Sequence, residues 1–292
     1  MSTPLEAIAN LFGAPAREAP PFVVWTGKPP KPQWRYYAYA ADAGLIWLAK
    51  IGSPEDPRLA NEHATLQAVG SALAGTPLAG SLPSGVRYGD GCLIQEWVAG
   101  VPAIDLIVRY RRRPFSRQAL AALCLRIVTW LAGFHRAAPA GDALPLNGIG
   151  RIHGDFTASN VMLDGEGRLR VVDWELSAPA EPQIFDLFHF LTNLALVCGG
   201  GDRRESFRHG FLDRTWLSEI VRRCVGAYGE VLATAAPGDG MSAPALRGAY
   251  ERYLAFVLAR RADLGLPNEG HFGHDLDEVL TRWPGTPHAF AG

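Results

Sequence analysis

The chain is short of several things that would set a class at once. Neither charge sign dominates: Lys and Arg total 28 against 29 Asp and Glu, a net charge of −1. That leaves no overall basic footprint for nucleic acid. Cysteine is scarce. Cys92, Cys124, Cys198 and Cys224 lie far apart and form no CxxC, so free thiols in a reducing cytoplasm are expected rather than a disulfide frame. The first 21 residues lack the basic flank and apolar core of a secretory signal. The most apolar long stretch, Leu120 to Phe134, is interrupted by Arg126 and falls short of the ~20 residues of a membrane span. No internal repeat is visible. A chain without transmembrane segments, acting in the cytoplasm, is the expectation. What is present is bulk: 292 residues, 48% apolar, enough for one large domain or two lobes with real cores.

The first hundred residues read mainly as strands. Phe22 to Gly27, Trp34 to Ala40 and Leu45 to Ile51 carry the apolar and aromatic content of three strands, the first two separated by the turn GKPPKPQ. Asp56 then Pro57 is a helix start. Leu59, Leu66, Val69 and Leu73 mark the apolar stripe of that helix, and Gly75-Thr76-Pro77 ends it. Glu62 falls on the same stripe, in the spacing 3, 4, 3, 4. A carboxylate placed inward needs a partner. Gly85 to Tyr88 and Cys92 to Val98 read as two more strands. Beyond Gly100 the pattern turns helical, with predicted helices from Ser116 to about Arg136, from Pro182, and over roughly 205–235 and 244–263. Residues 147–151 read as loop, and 161–163 with 169–172 as a hairpin. The layout is a sheet-rich lobe over 1–98 and a mostly helical lobe over 99–292.

The strongest local signal is His153-Gly154-Asp155-Phe156-Thr157-Ala158-Ser159-Asn160, followed by Val171-Val172-Asp173-Trp174-Glu175. The pattern is H-x-D-x-x-x-x-N, an apolar strand, then an aspartate. Phosphoryl transfer needs such groups. One carboxylate orients the attacking hydroxyl or takes its proton, while a carboxylate and an amide oxygen hold magnesium against the phosphates.

With these residues the chain resembles the aminoglycoside phosphotransferase and choline kinase family, whose fold is the two-lobed α+β fold of protein kinases. The resemblance covers roughly residues 22–200. It implies ATP and Mg²⁺ as cofactors. It makes Asp155 the catalytic base and Asn160 and Asp173 the metal ligands. Lys50 becomes the lysine that reaches the α- and β-phosphates, and Glu62 the helix glutamate that holds it. Asp186 would brace the catalytic loop through backbone amides. Glu96 C=O and Val98 N–H would meet the adenine. No G-x-G-x-x-G is present. Gly27 to Pro32 stands where a phosphate-covering turn is expected, and prolines remove amide donors there, so Lys28 and Lys31 are candidates to replace backbone contacts. His153 reads as a structural residue of the loop. Glu175 is open between a metal or substrate contact and a brace.

The acceptor is the least constrained element. Arg109, Arg111, Arg112, Arg113 and Arg117 form a basic run without a carboxylate. It is either a solvated helix face or a rim favouring an anionic or lipid-linked small molecule or saccharide. The DWE segment and Phe185 to Phe190 also resemble kinases associated with bacterial surface-polysaccharide synthesis. Two other functions stay open: a choline- or ethanolamine-type kinase, and a catalytically silent nucleotide-binding scaffold. The absence of D-F-G and A-P-E speaks against a protein kinase acting on proteins. Trp174 and Trp216 are read as core or as a platform for a sugar or choline head, and His271 with His274 and Asp275 as an incomplete metal set.

Overall fold

A computed structural model describes residues 23–26, 35–40, 46–138, 148–233, 242–268 and 271–291. The chain divides into two compact units, Met1–Gly100 with Met162–Ser177 and Val101–Val161 with Ala178–Gly292. The first is rich in antiparallel strand and the second in helix, the α+β arrangement expected from the sequence. The turn carrying Lys28 and Lys31 lies outside the described residues.

In the first unit, β1 (Val23–Thr26), β2 (Arg35–Ala40), β3 (Ile46–Ile51), β4 (Arg87–Gly89) and β5 (Cys92–Glu96) form one sheet in the order β1-β2-β3-β5-β4. Every pairing is antiparallel. Asp90 and Gly91, both at positive φ, make the two-residue turn between β4 and β5. That conformation matches the twist of a hairpin. The register places Tyr36, Lys50, Leu93 and Tyr88 in one row across the sheet, and directly opposed residues share a face.

Helix α1 (Pro57–Leu73) covers that face. Asp56 caps it by accepting the Arg58 N–H at 3.1 Å, which satisfies an otherwise orphaned donor. Leu59 of α1 packs into a cluster with Leu93, Tyr36, Val86 and Tyr88. The hairpin of β8 (Val161–Leu163) and β9 (Leu169–Val171) belongs mostly to this unit. Gly100, at φ +158°, lies so close to it that a Cβ would stand 2.3 Å from the Leu163 carbonyl oxygen.

The second unit begins with the two-residue strand β6 (Val101–Pro102), α2 (Ala103–Arg111) and α3 (Arg117–Ala137). By length and composition α3 passes for a membrane span, longer than the sequence stretch suggested. Its apolar face, Leu120, Leu123, Ile127, Leu131 and Phe134, is buried within the unit, where α3 packs on α6 (Trp216–Ala233). Residues 149–151, read as loop, instead lie in β7 (Ile149–Ile152), paired antiparallel with β10 (Ala178–Pro182). α4 (Ile184–Gly199) follows, then α5 (Arg203–Phe207), α7 (Ala243–Asp263) and α8 (Phe272–Arg282).

The helical stretch expected over roughly 205–235 is broken, because Thr215 starts a new helix. Its hydroxyl accepts the N–H groups of Leu217 and Ser218, and the Ser218 hydroxyl accepts the Thr215 N–H in return. That reciprocal cap ends one helix and opens the next.

Candidate functional site

Each unit carries its own share of the residues singled out by the sequence. In the first, the cross-sheet row puts Lys50 under α1, and Glu62 sits one turn beyond Leu59 on the face α1 buries. Both are buried, Lys50 to 3% exposure and Glu62 to 0%. The Lys50 ammonium donates to both Glu62 oxygens at 2.8 Å and to Asp173 Oδ1 at 2.7 Å. Burial alone would pull the Lys50 pKa down, but the charges of Asp173, Glu62 and Glu175 outweigh it and raise the value.

Asp173 reaches this position from a left-handed backbone conformation, φ +67°. A non-glycine residue there is uncommon, and aspartate is among the few that tolerate it. The short 3₁₀ turn Trp174–Leu176 brings Glu175 back to the same place. Ligand atoms of Glu62, Asp173 and Glu175 all lie within 4.8 Å of one another. Asn61 locks the segment by donating from its amide to the carbonyls of Glu175 (2.9 Å) and Ser177 (3.0 Å).

This donor set suits a hard divalent cation. Lys50 donates to both oxygens of Glu62 and to one of Asp173, and the carboxylates of Asp173 and Glu175 are the candidates to hold a metal. The histidines near the end of the chain do not form a second such group among the described residues. His271 instead caps α8, its Nδ1 accepting the Gly273 N–H at 3.1 Å. Glu96 closes β5, and its carboxylate accepts from Ser84 and from Arg170 at 2.8 Å. Arg170 and the Ser84 N–H and hydroxyl hold that carboxyl below its ordinary range against the opposing effect of burial. Val98 follows two residues later and is buried.

The second unit holds the H-x-D-x-x-x-x-N loop, which starts where β7 ends. Asp186, two residues into α4, is the loop's foot. Its Oδ2 accepts the His153 N–H at 2.6 Å and its Oδ1 accepts the Gly154 N–H at 2.9 Å. Gly154 stands at φ +82°, a conformation glycine takes without steric cost. Burial pushes the Asp186 carboxyl up, but His135, His153 and the backbone donors prevail and hold it low. His153 is fully buried, and its Nδ1 accepts the Asp155 N–H at 3.3 Å.

Asp155 itself is part-exposed. The Asn160 amide nitrogen donates to the Asp155 carbonyl at 2.9 Å and to its Oδ2 at 3.1 Å. That fixes the amide so that its oxygen is the end available to a cation. The other carboxylate oxygen, Oδ1, lies 3.1 Å from His189 Nε2. His189 was not singled out in the sequence. The signal was there: Asp186, His189 and Asn193 are spaced 3 and 4, so they share one face of α4. Asn193 lines a cavity of about 120 Å³ with Thr157, Ser159, Ile104, Ile107 and Val197.

Other candidates resolve into structure. Trp174 is fully buried and donates to the Val171 carbonyl at 3.1 Å, so it offers no platform to a ligand. Trp216 carries Arg117 over its ring at 4.9 Å. Arg111 donates to the Val197 carbonyl near the end of α4. Of the arginine run, Arg109, Arg112, Arg113 and Arg117 are exposed.

A strand lysine shared between a helix carboxylate and Asp173 fits the kinase-like α+β arrangement that the sequence resembles. Residues 142–220 match the phosphotransferase enzyme family. The chain resembles that family, and the match supports a small-molecule phosphotransferase. No curated protein matches the chain. Solved structures similar to it include a Mycobacterium tuberculosis protein in complex with erythromycin, at 17% identity over 84% of this chain and 69% of that one, with a TM-score of 0.39. Another is a candidate fructosamine-3-kinase from Thermobifida fusca, at 15% identity over 96% of this chain and 97% of that one, with a TM-score of 0.49.

Proposed function

We propose that the chain transfers the γ-phosphoryl group of ATP to a hydroxyl of a small molecule or saccharide in the cytoplasm. The observation that carries this reading is Lys50, buried and shared by Glu62 and Asp173 at 2.7–2.8 Å. A lysine held so firmly cannot wander, and it presents a fixed positive charge to phosphate oxygens. In this reading Glu96 C=O and Val98 N–H take the adenine edge, and Lys28, outside the described residues, is the lysine that the sequence offers to the phosphates.

Asp173, Glu175 and Asn160 supply hard oxygens for Mg²⁺, which when bound neutralises charge on the phosphates. Asp155 receives the acceptor's proton as that hydroxyl oxygen bonds to the γ-phosphorus. The bond from the γ-phosphorus to the bridging oxygen breaks, and ADP leaves with that electron pair. Catalysis of this kind is mostly positioning and electrostatics.

For the acceptor, the reading favours an anionic or lipid-linked molecule, as in surface-polysaccharide synthesis. Arg109, Arg112 and Arg113 are exposed, and no carboxylate stands between Arg109 and Arg117 in sequence. Arginine pairs bidentately with phosphate or carboxylate. A choline head is less well served, because Trp174 is buried.

Calorimetry with ATP and Mg²⁺ tests the nucleotide half of the reading. Asp173→Asn should bind Mg-ATP weakly and transfer no phosphate. Parental binding and turnover by that variant would refute the metal assignment.

A further inference from the structure

The second unit uses one arrangement twice. At the foot of the loop, Asp186 Oδ2 lies 3.3 Å from His135 Nε2, and His135 Nδ1 lies 2.7 Å from the Tyr228 hydroxyl. At its tip, Asp155 Oδ1 lies 3.1 Å from His189 Nε2, and His189 Nδ1 lies 2.9 Å from the Tyr253 hydroxyl. The first chain is buried throughout, with Asp186 and His135 each 1% exposed and Tyr228 0%. It holds backbone. The second opens to solvent at one end only: the Tyr253 residue is 1% exposed, and the His189 and Asp155 side chains are 16% and 39% exposed. Its open end is the carboxylate that the proposed reaction uses.

We propose that His189 is a positioning residue, set by Tyr253 in the tautomer that carries its proton on Nε2 and so fixing the carboxylate of Asp155 for the acceptor hydroxyl. The proposal rests on the reading of Asp155 as the proton acceptor. Three observations carry it. Burial raises the Tyr253 pKa well above the usual tyrosine value, so its hydroxyl keeps its proton and can donate to Nδ1. A neutral imidazole that accepts at Nδ1 must carry its proton on Nε2, the nitrogen facing Asp155. The Phe272 ring lies beside the imidazole, its centroid 6.3 Å from that of His189.

The consequence is geometric. Asn160 holds Oδ2 and His189 holds Oδ1, so the carboxylate plane is fixed by two donors from two different elements. With His189 gone, only Asn160 remains, and the side chain can rotate about its χ angles. A displacement near 1 Å at such a group costs on the order of 10²-fold in rate. The tyrosine end is equally specific. Without its hydroxyl only the part-exposed Asp155 carboxylate still favours the proton on Nε2, and the tautomer is less firmly set.

The test has two arms on the full chain. In the first, ¹⁵N-labelled histidine is observed by NMR, which separates the two tautomers without any turnover. The expected result is His189 protonated on Nε2 in the parent, and a tautomer mixture in Tyr253→Phe. In the second, His189→Leu should lower kcat by roughly 10–100-fold with the KM for ATP unchanged. His189→Gln places an amide N–H near the position of Nε2 and should restore most of the loss. An Nδ1-protonated or fully charged ring in the parent would overturn the proposal. So would a folded His189→Leu protein with parental kcat, or a glutamine variant no better than leucine. If the parent itself transfers no phosphate, the proposed function falls, and the NMR arm alone then decides whether His189 is set as described.

Discussion

Replacing Lys50 with methionine keeps most of the side-chain volume and deletes one charge. The structure fixes what should follow. Glu62 loses the partner of both its oxygens at 0% exposure. Glu62, Asp173 and Glu175 are then left with ligand atoms within 4.8 Å of one another and no ammonium among them. Breaking a buried pair from one side costs about 3–5 kcal/mol, because the remaining charge stays buried. At about 2–4 °C per kcal/mol for a chain of this size class, the melting transition should fall by roughly 6–20 °C.

A second substitution separates charge from packing. Lys50→Met with Glu62→Leu removes both charges and should recover most of the loss, since an apolar pair of similar volume replaces a buried ion pair at little cost. Mg²⁺ should stabilise the single variant more than the parent, because the cation takes over the neutralising role of the ammonium. Thermal melts by circular dichroism, with and without Mg²⁺, supply the numbers. A single variant melting within a degree or two of the parent, or a double variant no better than the single, would refute the reasoning.

Other outcomes follow from the same geometry. Burial, with Arg261 and Arg203 nearby, pushes His271 down from 6.5 to about 4, so its neutral form is the one the fold holds. Its contribution to stability is complete above about pH 6.5 and is lost as pH falls towards 4. His271→Asn keeps a cap for α8 without a titrating group, and its pH–stability curve should be flatter over that window; an unchanged curve would contradict this. Replacing Arg109, Arg112 and Arg113 with serine should raise the KM for the acceptor, leave that for ATP alone, and abolish a salt dependence set by a Debye length of ~8 Å. Equal acceptor KM values in parent and variant would reduce the cluster to solvated surface. Thr215→Ala removes the hydroxyl that accepts two backbone N–H groups and should destabilise by ~1 kcal/mol, measurable by urea unfolding.

Much of the first unit was legible because its signals are local and periodic. The Asp56-Pro57 start and the stripe from Leu59 to Leu73 gave α1 its bounds, and the inward Glu62 could be found from spacing alone. Its partnership with Lys50 followed from the need to pair a buried carboxylate, with the resemblance naming the lysine. β7 and β10 were not legible. Each is short, and what makes it a strand is a pairing between residues about thirty positions apart. The break before α6 was hidden in the same way, since an apolar pattern does not show that Thr215 turns its hydroxyl back onto two amides. Glu175 and His189 are hard to assign from sequence for a related reason. Their neighbours are set by a left-handed aspartate and by helix packing, which leave weak marks in sequence. The arginine run shows the reverse. Its charge was plain, but only the structure shows that Arg111 binds a helix-end carbonyl and Arg117 covers Trp216.

The central claim is that Asp155 activates an acceptor hydroxyl for attack on Mg-ATP. The most direct measurement is phosphate transfer from ATP, read by mass, across sugars, amino alcohols, aminoglycosides and acidic or lipid-linked acceptors, for the parent and for Asp155→Ala. The account predicts a phosphorylated small-molecule acceptor with the parent. For the variant it predicts a kcat lower by about 10²–10⁴-fold with ATP affinity little changed. A folded Asp155→Ala protein turning over near the parental rate would contradict it, as would a parent that phosphorylates nothing in the panel.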